Sequence, residues 1–405
     1  MMEIRRVTAD EMIQCGKIGT IAFNERERYD KPDEDAEDAE DALEHPPEWT
    51  WACVENGVVK GCMVEIQFLM RFDHQNVKMS GIGGVGVLPE ARGKGCVRLI
   101  FEKLLPEAYE KGVVFSSLTP FSHAFYRQFG YELACVRNRV AIPTNEFAHL
   151  KPRGQFVQIF PGDDAADLNA VHRAYIANLN HGICRDYWEN DRAWRRFTSN
   201  DPYSTGVFLY IWRNDEGKPK SYIKYENEKD GDGGRMAVRE LAFVDKEGLY
   251  GALGLAHNMS SQCDAFTWDM PSFIEPFDFV SDMWSVERRV VPRDMTRIIN
   301  VQAALERMRR PAGEGQFVID VIDPHISANQ RRFLVEYAPE GSRVSVTRKD
   351  ADMKCTIAAL SQLVVGFRTL ENALLSKQTG LEAPGDMETL RNVWTLRPQH
   401  VTEYF

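Results

Sequence analysis

The segment GIGGVGVLPEARGKGCVRLI, Gly81 to Ile100, constrains this chain more than any other. An apolar, strand-like run stops at Pro89, passes through Arg92-Gly93-Lys94-Gly95, and enters an amphipathic stretch that reads as a helix ending near Glu110. A strand feeding a helix through a glycine turn calls for a layered α/β unit. It also leaves the first N–H groups of the helix without partners and sets the positive end of the helix dipole at the turn. Glycines let the backbone approach an anion, and Arg92, Lys94 and Arg98 add charge around it, so a phosphate-containing ligand is expected here. The absence of a Gly-x-x-x-x-Gly-Lys-Ser/Thr string argues against a nucleotide-hydrolysing P-loop.

The surrounding pattern supports that unit and repeats it. Strand-like stretches at Met2–Val7, Thr50–Glu55, Val58–Leu69 and Val77–Val87 alternate with an amphipathic stretch at Asp10–Phe23. Between Arg139 and Pro292 a looser version follows, with a helix over Asp163–Asn178 and strands over Gly206–Arg213, Ser221–Glu226 and Met236–Val244. Its counterpart of the glycine turn, Leu241–Gly254, has glycines but no Arg-x-x-Gly, and it puts Asp245 and Glu247 where phosphates would sit. Anion binding is not expected there; scaffolding is. From Val291 onward come a helix at Val301–Met308, period-two strands at Phe317–Ile322, Phe333–Tyr337 and Val344–Thr347, and helix-like stretches at Ile357–Phe367, Thr369–Leu375 and Met387–Leu396. The expected class is α+β: two tandem α/β units over 1–138 and 139–291, then an α+β unit over 292–405.

With 60 Asp and Glu against 49 Lys and Arg, the net charge of −11 removes the basic surface that nucleic-acid binding needs. The longest apolar-leaning stretch, Cys355–Phe367, is broken by Ser361 and Gln362, and the first residues lack a signal-peptide core, so a soluble, cytoplasmic protein without a membrane partner is expected. Eight scattered cysteines with no Cys-x-x-Cys read as reduced, buried thiols. No metal is expected: His181-Gly-Ile-Cys184 lacks a second pair of ligands, and the Asp163-Asp164 and Asp230-Gly-Asp232 stretches read as turns. Nine acidic residues between Asp30 and Glu44 form either a solvated face or an attractor for cationic substrates. Trp49 and Trp51 beside them suit core packing, although an aromatic wall with carboxylates also suits a polyamine pocket.

The Arg92-Gly-Lys-Gly95-Cys-Val97 string resembles the Arg/Gln-x-x-Gly-x-Gly/Ala signature of the GNAT superfamily of acetyl-CoA-dependent N-acetyltransferases, departing at Val97. With Arg98-Leu99, Leu118-Thr119, the Phe125–Tyr131 segment and a terminal Phe405, it resembles the Eis (enhanced intracellular survival) subgroup. That resemblance implies a catalytic GNAT unit, a degenerate second GNAT unit and a unit like sterol carrier proteins, assembled as a homohexamer. Acetyl-CoA is then the cosubstrate. Val85, Gly86 and Val87 would meet its pantetheine arm, Gly93, Lys94, Gly95, Cys96, Val97 and Arg98 with Arg92 its pyrophosphate, and Phe121 and Ser122 the far side of the thioester.

Transfer to an amine requires a base, an oxyanion donor and an acid for the leaving thiolate. Ser80–Leu88 contains no carboxylate, and the resemblance supplies the base as the α-carboxylate of Phe405. Tyr126 is the expected acid, and a backbone N–H near Val85 would meet the oxyanion. Tyr109 and Tyr131 are expected to pack. The acceptor class implied is a multi-amine molecule: an aminoglycoside, a polyamine or a lysine side chain. Two other functions fit less well: a degenerate GNAT scaffold carrying a lipid-carrier-like binding module, and a narrow protein N-acetyltransferase.

Overall fold

The computed structural model describes residues 2–23, 46–187, 192–230, 233–376 and 380–403. The acidic run Asp30–Glu44 and the terminal Phe405 lie outside the described residues.

The first sheet is built on a long antiparallel ladder. Its strands are β1 (Glu3–Arg6), β2 (Thr50–Glu55), β3 (Val58–Phe72), β4 (Gln75–Val87), β5 (Phe115–Leu118) and β6 (Glu132–Leu133). Helix α1 (Met12–Phe23) places Cys15 and Ile18 on Ala52, Val54 and Cys62 of one face. On the other face α2 (Cys96–Glu110) buries Ile100, Phe101, Leu104 and Leu105 against Trp51, Met63, Ile82 and Leu118, the i, i+4 stripe that its sequence carries. A five-residue helix, α3 (His123–Arg127), follows β5.

The second sheet repeats this plan. Its strands are β7 (Val136–Pro143), β8 (Gly154–Gln158), β9 (Val207–Asn214), β10 (Pro219–Asp230), β11 (Gly233–Phe243), β12 (Ala265–Pro271) and β13 (Glu287–Pro292), in the order β13-β7-β12-β11-β10-β9-β8. Helix α4 (Ala166–Ile176) covers one face, and α5 (Lys246–Asn258) follows β11 as α2 follows β4.

The next strand, β14 (Met295–Ile298), returns to the first sheet, whose order is β1-β2-β3-β4-β5-β14-β6. It pairs antiparallel with β5, Met295 opposite Leu118 and Ile298 opposite Phe115, and its other side meets β6. The sequence reading places this segment in the third unit and Val136–Asn138 in the first. In space the two are exchanged, since β5 would otherwise present an unpaired edge. Fully buried Arg297 of β14 then ties two units together, donating to Phe129 O (2.5 Å) and to Asp323 Oδ2 (2.7 Å).

The third unit comprises α6 (Val301–Arg307), the sheet β17-β16-β15-β18 (Gly315–Ile322 as β15, Arg332–Ala338 as β16, Gly341–Val346 as β17, Met353–Thr356 as β18), α7 (Ile357–Val364), α8 (Leu370–Leu374) and α9 (Met387–Val393). Its interior is filled by Phe317, Ile319, Phe333, Leu360 and Trp394, in one continuous core with Ile66, Phe68, Met79 and Phe115 of the first sheet. All eight cysteines are free and buried. Among the described residues, no helix is long and apolar enough to cross a membrane, and no three His, Cys, Asp or Glu side chains are grouped to hold a metal ion.

Candidate active site

The glycine turn is open. Gly93 and Gly95 sit at φ +75° and +86°, and a Cβ built on either would meet nothing within 4 Å. Glycine is therefore required by the left-handed backbone, and no described residue fills the space above it. Among the described residues, the N–H groups of Gly93, Gly95, Cys96, Val97 and Arg98 reach no backbone carbonyl, so they point at the mouth of α2 as a set of donors. Arg92 and Lys94 are exposed beside them, and Arg98 pairs with Glu102 at 2.9 Å. Cys96 is buried and contributes only its backbone, and Val97 is half-buried against the α2 core. A diphosphate fits this donor set.

The strand that leads to the turn is interrupted. Val64 pairs with Gly83 and Cys62 with Gly86, leaving Gly84 and Val85 as a β-bulge opposite one residue of β3. Gly84 takes φ +56° at the bulge. On the other side, β4 pairs with β5 only from Met79 to Ile82, so Gly83–Val87 has no strand partner there among the described residues. The split between the two strands exposes backbone donors near Val85 at the depth where Leu118 ends β5. Gly86 turns toward α1, where a Cβ would come within 2.8 Å of Ile18, so its glycine serves packing.

Tyr126 closes the far wall. It is 2% exposed, set edge-on to Phe101, Phe121 and Phe125 with centroids 6.4, 5.4 and 5.1 Å away. Its hydroxyl has no hydrogen bond to another described residue. Burial, with a smaller contribution from Tyr131, raises its pKa, so the phenol holds its proton. Phe121 is exposed over this ring, whereas the Ser122 hydroxyl accepts from Phe125 N and caps α3.

The equivalent turn of the second unit is closed by packing. Cβ atoms on Gly248, Gly251 and Gly254 would lie 2.2, 2.3 and 2.6 Å from Lys220 O, the Trp212 ring and Pro152. The Asp245 carboxylate accepts from Gly248 N (3.0 Å) and pairs with Lys220 (2.6 Å). The space at its glycines is filled by Lys220, Trp212 and Pro152, and the Gly248 N–H is taken by Asp245.

Family models match the chain in three places: an acetyltransferase (GNAT) domain over residues 3–134, a second acetyltransferase (GNAT) domain over 185–298, and a sterol carrier protein domain over 301–401. An uncharacterised N-acetyltransferase of Streptomyces griseus is 24% identical over 310 residues, 72% of this chain and 73% of that protein. A GCN5-related N-acetyltransferase of Anabaena variabilis superposes with a TM-score of 0.85 at 20% identity, and Eis1 of Mycobacterium abscessus with 0.81 at 18%, each over the whole of both chains. The chain belongs to the GNAT N-acetyltransferases and has the Eis-like fold.

In the first GNAT unit two carboxylates escape sequence reading. Alternation along β3 turns Glu65 onto the α2 face, 1% exposed, where Arg6, Trp51 Nε1 and Ser80 Oγ donate to it at 2.5, 3.2 and 2.9 Å. With its oxygens occupied, it braces β2, β3 and β4. The second is Asp294, just ahead of β14: its Oδ1 accepts from Thr119 Oγ1 at 2.8 Å, one residue past β5. Burial raises its pKa against the opposing pull of Arg293, Arg137 and Thr119. The only signal for either was a charged residue at an inward position of an apolar strand or at its mouth. Tyr131 packs as expected, its hydroxyl 2.7 Å from Ser116 Oγ.

Proposed function

We propose that the protein transfers an acetyl group from acetyl-CoA to a primary amine of a multi-amine acceptor, with the chemistry confined to the first GNAT unit. The observation that carries this reading is the open turn at Gly93 and Gly95, with free N–H donors, ending a bulged strand whose split from β5 faces the Tyr126 ring. The pyrophosphate would lie on the N–H groups of Gly93 to Arg98, with Arg92 and Lys94 around it, and the pantetheine arm along Val85 and Val87. The amine nitrogen attacks the thioester carbon while an N–H near Val85 meets the oxyanion. The C–S bond then breaks and Tyr126 returns a proton to the sulfur. The amine proton passes to a base, which we assign to the α-carboxylate of Phe405, consistent with the C-terminal segment reaching Arg293 beside Thr119. The acidic balance of the chain favours polycationic acceptors.

The test is thiol release from acetyl-CoA across aminoglycosides, polyamines and lysine peptides, with product masses measured. Amine-dependent release with a mass gain of one or more acetyl groups is expected, and release that ignores the amine would overturn the reading. Extending the chain past Phe405 is expected to lower turnover by about 10² with acetyl-CoA binding unchanged, whereas a tag on Met1 leaves both intact.

A further inference from the structure

The last described residues, 398–403, touch the third unit through Gln399 and are otherwise held by residues outside it. Asn180 N donates to Pro398 O (2.9 Å), His400 N to Asn180 O (3.2 Å), and Gln399 Nε2 to Val365 O (2.7 Å). Three arginines then take over. Arg137 donates to Val401 O, Arg293 to Glu403 O (3.3 Å), and Arg185 Nε to Glu403 Oε1 (2.7 Å). They are 9%, 7% and 4% exposed. Arg185 is itself gripped by Glu240 of β11 in a two-pronged pair at 2.8 Å on each side, with Tyr222 of β10 donating to the same carboxylate.

Burying that many charges is a poor way to gain stability, since desolvation offsets most of the attraction. It is a good way to fix one geometry, because a guanidinium fork holds direction as well as distance. The direction is informative. The guanidinium of Arg293 that holds Glu403 O also donates to Thr119 Oγ1 (3.2 Å), one residue beyond the end of β5, at the mouth of the split.

We infer that Arg185 and Arg293 are positioning residues for acyl transfer, and that the second GNAT unit, whose own anion site is filled in, is the seat that delivers the C-terminal segment to the first unit's active site. The inference rests on the acyl-transfer reading above. Glu240 and Tyr222 act one step further out, holding the Arg185 fork toward Glu403.

The experiment compares Arg185→Lys, Arg293→Lys and Glu403→Gln in the full chain, measuring kcat, KM for acetyl-CoA, acetyl-CoA binding by calorimetry and hydrogen exchange of the 398–403 amides. Glu403→Gln is the mildest, since it keeps shape and an acceptor oxygen. Each is expected to lower kcat between about tenfold and a hundredfold, with the acetyl-CoA dissociation constant within twofold of wild type and faster exchange at 398–403. In a chain lacking residues 403–405, Arg293→Lys should lower kcat no further, because the group it positions is gone. Wild-type kcat in Arg185→Lys and Glu403→Gln, or an equal loss from Arg293→Lys in full-length and shortened chains, would overturn the inference alone. Failure of the unmodified chain to release thiol with any amine would overturn the acyl-transfer reading and the inference with it.

Discussion

Tyr126 and Tyr131 are both buried, yet they are not equivalent as acids. The Tyr131 hydroxyl is committed to Ser116, and the Tyr126 hydroxyl is not bonded to any described residue. Tyr126→Phe should therefore reduce turnover by about a hundredfold while acetyl-CoA binding, read by calorimetry, stays constant; full activity in that variant removes it as the acid. Tyr131→Phe should instead cost about 1 kcal/mol of stability and little turnover. Because burial raises the Tyr126 pKa, the phenol remains protonated across the working range, so turnover should not fall between neutrality and about pH 10 through loss of this acid. The pair was legible as two tyrosines flanking a Phe-Gly turn; which one is free could only come from the position of Ser116 across the sheet.

The glycine turns of α2 and α5 are the same local construction with opposite outcomes. Gly95→Ala forces a side chain into left-handed backbone, at about 1–2 kcal/mol, and puts a methyl where a diphosphate would lie, so acetyl-CoA affinity should drop. Gly251→Ala drives a Cβ into the Trp212 ring and should lower the thermal midpoint while leaving acetyl-CoA affinity unchanged. Calorimetry on the unaltered chain should return one acetyl-CoA per chain; two would contradict the filled second turn. This contrast was readable from sequence, because the difference between Arg92-x-x-Gly95 and Asp245-Lys-Glu-Gly248 is local. Helix and strand centres were readable for the same reason, with Thr50–Glu55 recovered to the residue and α2 ending at Glu110. The bulge at Gly84–Val85 was not, since it exists only in the register between β3 and β4. Nor was the Arg137, Arg185, Arg293 and Glu403 cluster, whose members lie far apart along the chain and carry no spacing signal.

At the scale of the molecule, three histidines lie where the second unit, the C-terminal segment and β14 meet. His181 is lowered to about 4 by burial; His172 and His400 are also lowered by burial, with Arg185 acting on the first and Arg137 and Arg293 on the second. In the unfolded chain each would take a proton below about 6.5, which the folded protein resists. Their neutral forms thus favour folding above that value, and the advantage is lost as pH falls from about 6.5 toward 4. The thermal midpoint should decline over this window, and His181→Gln should flatten the decline; an unchanged slope would assign the acid sensitivity elsewhere.

The returning strand β14 also sets an order of events during synthesis. The match to a GNAT domain stops at residue 134, yet β5 and β6 are joined only by Met295–Ile298, after the whole second sheet has been made. At 5–20 residues per second, the roughly 160 residues between β6 and β14 take about 8 to 32 s to emerge. For that interval the nascent first unit waits with the β5 edge uncovered, exposed to wrong pairings and to proteases. A fragment ending near residue 138 would be held permanently in that waiting state, so the smallest piece able to close the catalytic sheet extends past Ile298.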